Sequence, residues 1–237
     1  MKRKNHKKAP TWAVILVAAG QSKRLKSRVP KPFLPMVRKR TMLDLCLASF
    51  KRVPGLAYAI IVTRKPYMEK AIQAIYRQRL AGIVTQGGEQ REDSVRRGLM
   101  VIPPGVQYVL IHDAARPLVT PGLIRRVLEG VKRHGAVIPV VPVKDTLKLV
   151  ANERVVKTLD RSQIWAVQTP QGFKFQELKK AFLKVGSRAS RLTDDAAVAE
   201  AAGLRVRVVE GDPHNFKVTT PEDLRHAKSL IKRIRQF

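Results

Sequence analysis

Val14-Ile15-Leu16-Val17-Ala18-Ala19-Gly20-Gln21-Ser22-Lys23-Arg24-Leu25, continued by Pro30-Lys31-Pro32, decides the reading of this chain. An apolar run ends in two alanines and a glycine, and a basic loop with no acidic residue follows. Short continuous apolar runs of this kind form strands buried on both faces of a parallel sheet. Small residues at the strand end let the backbone approach a ligand closely. Backbone N–H groups after Gly20 can then face an anion, and Lys23, Arg24 and Lys31 add positive charge. The stretch reads as a triphosphate-binding loop at the carboxyl edge of a first β-strand, with Ala18, Ala19 and Gly20 against the nucleotide. The spacing excludes both the Walker phosphate loop and the three-glycine dinucleotide fingerprint.

Composition narrows the partners. The chain has 237 residues, enough for one large domain or two small ones with a sizeable core. Its 47 Lys and Arg against 18 Asp and Glu leave a formal charge of +29. Such a balance favours anionic partners: nucleotides, phosphorylated metabolites, nucleic acid or headgroups. Nucleic acid fits poorly, because aromatic residues are only 5% and no aromatic-basic interleaving appears. The single cysteine, Cys46, excludes an intrachain disulfide and points to a reducing, cytoplasmic compartment. It lies among Met42, Leu43, Leu45 and Leu47 and reads as a small core residue. No apolar run approaches the roughly 18 residues of a membrane span. Lys2, Arg3, Lys4, Lys7 and Lys8 read as a solvated basic tail over residues 1–10, and no signal-peptide core follows it.

The rest of the chain alternates strand and helix. Trp12–Ala18, Tyr58–Val62, Ile83–Thr85, Tyr108–Ile111, Ala136–Val141 and Arg205–Val209 read as strands. Met42–Arg52, Tyr67–Leu80, Asp93–Val101, Phe175–Lys184 and Asp194–Ala202 read as helices. A helix capped by Thr120 and Pro121 ends at Gly135, and Thr220 begins the last helix. Thr41 caps the first helix and Thr193 caps Asp194–Ala202. The alternation implies an α/β, Rossmann-like domain over residues 1–237, with a mostly parallel sheet and helices on both faces. Residues 144–159 break the pattern. They read as an inserted β-hairpin arm, Thr146–Val150 and Val155–Leu159, turning at Ala151-Asn152-Glu153.

Five stretches fall at or beside strand ends, where open α/β sheets bind ligands. The first is the loop already quoted. In the second, Gly87-Gly88 lets a planar group lie on backbone, and Glu89 and Ser94 offer partners for a base edge. In the third, Asp113 closes a buried strand. It suits Mg2+, which takes one or two carboxylates plus substrate phosphates. Arg116 adds a phosphate clamp, while His112 reads as a loop-orienting residue. The fourth, Asp160-Arg161 with Gln168-Thr169-Pro170-Gln171, follows the arm, and Arg161 can reach a phosphate in a neighbouring subunit. In the fifth, Lys217 can cover phosphate, and Asp212 or His214 can approach the metal. Thr193 and the free N–H groups of its helix offer one more anion site.

Together these stretches resemble the 2-C-methyl-D-erythritol 4-phosphate cytidylyltransferases of the non-mevalonate isoprenoid route, from about Ala13 to Arg225. The matching parts are Ala18-Ala19-Gly20 with Arg24 and Pro30-Lys31-Pro32, Gly87-Gly88 with Arg91 and Asp93-Ser94, and His112 to Pro117. Asp145-Thr146, Asp160-Arg161, Thr169-Pro170-Gln171, Thr193-Asp194 and Asn215-Phe216-Lys217 complete them. The resemblance implies a transferase that moves CMP from CTP to a sugar-alcohol phosphate. Arg24 and Lys31 would stabilise the transition state, and Asp113 would hold Mg2+ or another divalent cation. Gly88, Glu89 and Ser94 would read cytosine. Arg161 and Lys217 would position the methylerythritol phosphate, with Thr146, Thr193 and Arg116 along the same side. It also implies a homodimer joined through the arm. Here His214 stands where some relatives have an acidic residue, so the second metal carboxylate is open. A cytidylyltransferase for another alditol phosphate, such as ribitol 5-phosphate, shares most of these motifs.

Overall fold

Two sets of side chains alternate along β1 (Trp12–Val17), and each faces a different hydrophobic core. Trp12, Val14 and Leu16 point to one side and Ala13 and Ile15 to the other, all fully or almost fully buried. A strand buried on both faces must lie inside a sheet sandwiched by helices.

The computed structural model describes residues 11–20, 23–25, 27 and 29–233. After β1 the chain makes a short ribbon, β2 (Pro35–Val37) and β3 (Arg40–Thr41), then α1 (Met42–Lys51) and β4 (Leu56–Thr63). There follow α2 (Met68–Gln78), β5 (Gly82–Gln86), α3 (Arg91–Met100), β6 (Tyr108–Asp113) and α4 (Pro121–His134). Next come β7 (Ala136–Pro142), the arm strands β8 (Lys148–Ala151) and β9 (Arg154–Thr158), β10 (Trp165–Val167) and β11 (Gln171–Lys174). The chain continues with α5 (Phe175–Val185), α6 (Asp195–Ala201), β12 (Arg207–Glu210) and α7 (Pro221–Arg233).

The main sheet runs β5-β4-β1-β6-β11-β7, and β7 also carries β10 and β12. β5, β4, β1, β6, β7 and β12 run one way, while β10 and β11 run the other. One core packs α1, α2 and α4 on one face of the sheet. The other packs α3, α5 and α6 on the opposite face. Cys46 of α1 is a buried core residue, and burial raises its thiol pKa, so it stays a neutral thiol. α7 covers β2 through Ala227 and Ile231.

The fold class read from the sequence is the one observed, and the differences lie in individual elements. Residues 165–174 supply two antiparallel strands that the alternation did not announce. They pair with β7 one after the other, at Val140–Pro142 and at Ala136–Val137, and β11 also fills the space beside β6. α3 begins at Arg91, not Asp93, and Asp93 reaches back over this first turn, its Oδ2 accepting from Gln90 N at 3.4 Å. The cap of α6 is Asp194, not Thr193: its Oδ1 accepts from Ala197 N at 2.9 Å. The arm is shorter than expected, with strands inside 148–158. Asn152 and Glu153 turn it, both at positive φ (48° and 61°), as the two-residue turns of twisted hairpins require. The basic tail expected at 1–10 lies outside the described residues.

Candidate active site

A cleft of about 530 Å³ opens beside the carboxyl ends of β1 and β6. Ala18, Ala19 and Gly20 form its floor where β1 runs out. Ala18 is fixed there by its N–H, which donates to Val62 O at 2.8 Å. Among the described residues, its own chain neighbours apart, no atom lies within 4 Å of where a Gly20 side chain would start, so the backbone is open at that point.

One wall is the loop between β5 and α3. A side chain on Gly87 would come within 2.5 Å of Ala19 Cβ and 2.9 Å of Ser94 Oγ, and one on Gly88 would overlap Asp93. Only glycines let this loop fold down onto the end of β1. Ser94 Oγ accepts from Gly88 N at 3.2 Å and donates to Gln90 O at 3.2 Å. Arg97 donates to Gln86 O and Gly87 O from outside. The loop is therefore braced, with exposed Glu89 on the cleft side. This is a rigid shelf for a flat group.

The opposite side is cationic. Lys31 begins a short turn, Lys31–Phe33, closed by Phe33 N donating to Pro30 O at 3.0 Å. Its side chain is buried in the wall, only 8% exposed. Burial lowers its pKa, and the charges of Arg24 and Lys217 lower it further, against a smaller effect of Asp223. Two further cations thus bear on Lys31 at this end, an arrangement that a polyanion relieves. Arg24 is exposed and does not line the cleft, although its charge reaches Lys31. Arg64, after β4, lines the cleft but was not singled out from the sequence.

Asp113 ends β6 between two cations. Its Oδ1 accepts from Arg91 Nε at 3.2 Å and its Oδ2 from Lys217 Nζ at 2.6 Å. Burial alone would raise its pKa. Arg91 and Lys217 override that and hold the carboxyl well below the usual carboxylate range. Among the described residues no group of three His, Cys, Asp or Glu could enclose a metal ion. Mg2+ bound by one carboxylate and substrate phosphates needs none. An always-ionised Asp113 that lines the cleft fits that mode.

A polar network behind Asp113 sets its position. Asp113 N donates to Thr169 Oγ1 at 3.1 Å, and His112 Nδ1 lies 3.0 Å from the same hydroxyl. His112 Nε2 lies 3.2 Å from Arg116 O. Burial pushes the imidazole pKa down to about 4, so His112 is neutral near pH 7 and orients its loop. Asn215 Nδ2 donates to Thr169 O at 2.8 Å, and Arg116 Nη1 to Asn215 O at 2.8 Å. Val218 N donates to Ala115 O at 2.8 Å. These bonds lock the loop that carries Lys217 against the end of β6.

The cleft brings together Ala18, Ala19, Gly20, Lys31, Gly88, Glu89, Ser94, Asp113 and Lys217. It does not bring in Arg116, which braces the loop, nor Thr146, Arg161 or Thr193, which are exposed elsewhere. Arg161 Nη1 donates to Lys144 O at 2.6 Å at the base of the arm. Two of the N–H groups expected to bind an anion after Thr193 have protein acceptors: Ala197 N donates to Asp194 Oδ1 at 2.9 Å and Ala196 N to Gln171 Oε1 at 3.0 Å. Neither Asp212 nor His214 lines the cleft, and Asp212 Oδ1 accepts from His214 N at 2.9 Å within its own turn.

The 2-C-methyl-D-erythritol 4-phosphate cytidylyltransferase family model matches residues 12–233. The chain belongs to that family. A relative from Bacillus cereus bearing the family's name is 41% identical over 224 residues, covering 93% of this chain and 98% of its own. A bifunctional enzyme IspD/IspF from Desulfotalea psychrophila is 38% identical over 93% of this chain, which spans 56% of that longer protein. Among solved structures, the family member from Thermus thermophilus matches with a TM-score of 0.77 at 33% identity, over 94% and 100% of the two chains. A 4-diphosphocytidyl-2C-methyl-D-erythritol synthase from Anaerococcus prevotii gives a TM-score of 0.81 at 28% identity, over 94% and 99%.

Proposed function

We propose that this chain transfers CMP from CTP to 2-C-methyl-D-erythritol 4-phosphate, releasing pyrophosphate, in isoprenoid precursor synthesis. The observation that carries the reading is the family match across residues 12–233, on a fold whose cleft joins a glycine shelf to a cationic wall. A phosphate oxygen of the sugar phosphate attacks the α-phosphorus of CTP. One P–O bond forms, the bond to the β-phosphate oxygen breaks, and its electron pair leaves on pyrophosphate. The nucleophile is already anionic, so no protein base is required, in keeping with a neutral, buried His112. Gly88, Glu89 and Ser94 form the shelf for cytosine. Lys31, with Arg24 beside it, offsets the charge that builds on the α-phosphate and the leaving group. Lys217 meets the second phosphate. Asp113 would hold Mg2+, which supplies charge neutralisation at the triphosphate. The single, buried cysteine supports a reducing, cytoplasmic setting. Among the described residues no helix is long and apolar enough to cross a membrane.

The arm supports a homodimer. Leu149, Val150, Val155 and Val156 are between 46% and 61% exposed on a two-stranded ribbon. Such a ribbon is marginal alone in water, and a second copy is the simplest cover in a class where twofold dimers dominate. Arg161 and Thr146, outside their own cleft, then face the partner's. Mixing Arg161→Ala with Lys31→Ala subunits should restore activity at one of the two sites of each mixed dimer. A monomer by light scattering, or no recovery after verified subunit exchange, would contradict the shared site.

A further inference from the structure

Arg91 joins two carboxylates from different elements. Its Nε donates to Asp113 Oδ1 at 3.2 Å and its Nη2 to Asp195 Oδ2 at 2.8 Å. Asp113 ends β6, Arg91 begins α3 and Asp195 begins α6. Asp195 is fully buried, and Arg91 is its ion-pair partner among the described residues.

Stability gives little reason for burying Asp195 against Arg91. Taking a carboxylate out of water costs several kcal/mol, and apolar replacements of buried ion pairs are often neutral or stabilising. Burial raises the pKa of Asp195, and Arg91 offsets only part of that. Geometry does give a reason. The two oxygens of Asp113 have different partners: Oδ1 has the anchored guanidinium, and Oδ2 has Lys217, whose side chain is 40% exposed. A guanidinium is a rigid planar fork that spans two acceptors at a fixed angle, which an ammonium does not.

We propose that Asp195 and Arg91 are a positioning pair for Asp113. Asp195 anchors the guanidinium, and the guanidinium fixes Asp113 so that Oδ2 is the oxygen offered to the cleft. The inference rests on the reading of Asp113 as the carboxylate that meets the divalent cation of the triphosphate.

The test uses Mn2+ as probe, titrated into protein with CTP and no sugar phosphate, alongside steady-state kinetics and thermal unfolding. Asp195→Asn and Arg91→Lys should fold, bind Mn2+ about tenfold or more weakly, and lose kcat rather than raise KM for CTP. Arg91→Lys keeps the charge, so its failure to restore binding separates positioning from charge alone. If either single variant does not fold, the double variant Arg91→Lys/Asp195→Asn, which buries no unpaired carboxylate, carries the same readout. Wild-type Mn2+ affinity and kcat in the folded variants would overturn the proposal. Wild-type Mn2+ affinity in Asp113→Asn would instead overturn the reading of Asp113 on which it rests.

Discussion

Lys31→Met should lower kcat by about two to three orders of magnitude while KM for CTP moves little. The ammonium sits in the wall of the cleft, 8% exposed, on a turn closed by its own backbone bonds. Its position is therefore fixed before substrate arrives, which is what makes an electrostatic contribution large at the moment of reaction. Burial lowers its pKa, and so do the neighbouring charges of Arg24 and Lys217. Its charge is disfavoured in the empty cleft and favoured when negative charge accumulates there. The interaction is thus strongest in the transition state and shows in kcat. Methionine keeps the apolar stem and removes a charge that burial disfavours, so the unfolding temperature should hold or rise. Arg24→Ala should act in the same direction. Near-wild-type turnover in both variants would contradict the roles given to these residues.

Asp113→Asn should remove most of the activity, on the order of a hundredfold or more, and also soften the fold. Asp113 is held ionised by Arg91 and Lys217 against the effect of burial. A carboxyl whose folded pKa is depressed adds stability that is complete above its unfolded value, near 3.9, and is lost as pH falls through the folded value. Near pH 7 that contribution is fully present, and the amide removes it. The variant should therefore melt lower than wild type at pH 7, and the gap should shrink toward pH 2. Excess EDTA should abolish pyrophosphate release by the wild type. Full activity in EDTA, or wild-type turnover by Asp113→Asn, would remove Asp113 from the metal site.

Much of this was legible in local sequence. The apolar run into Ala18-Ala19-Gly20 marked both the central strand and the floor of the cleft. The caps at Thr41 and Thr120 are where their side chains bond N–H groups, Asp44 N at 3.2 Å and Leu123 N at 3.2 Å. Gly87 is needed for close packing on Ala19 and Gly88 for close packing on Asp93, as a glycine pair beside a strand end suggests. What stayed hidden depends on long-range pairing. β10 and β11 are short, and their strand state comes from edges supplied by β6 and β7. Arg91 stands out in the motif, but its partners lie 22 and 104 residues away, and no local pattern announces a guanidinium shared by two carboxylates. Thr193 and Asp194 are both good caps, and only tertiary placement selects Asp194. The bracing of Asp113 through Thr169 and Asn215 likewise joins three loops that are distant in sequence.

The most direct measurement follows pyrophosphate release by the purified chain with CTP and Mg2+, comparing 2-C-methyl-D-erythritol 4-phosphate with ribitol 5-phosphate and the product by mass. The expected result is release that depends on the methylerythritol phosphate, yields its cytidine diphosphate derivative, and exceeds that with ribitol phosphate in kcat/KM by at least tenfold, about 1.4 kcal/mol of discrimination. Equal or greater turnover on ribitol 5-phosphate, or no CTP-dependent release with either acceptor from folded protein, would contradict the account.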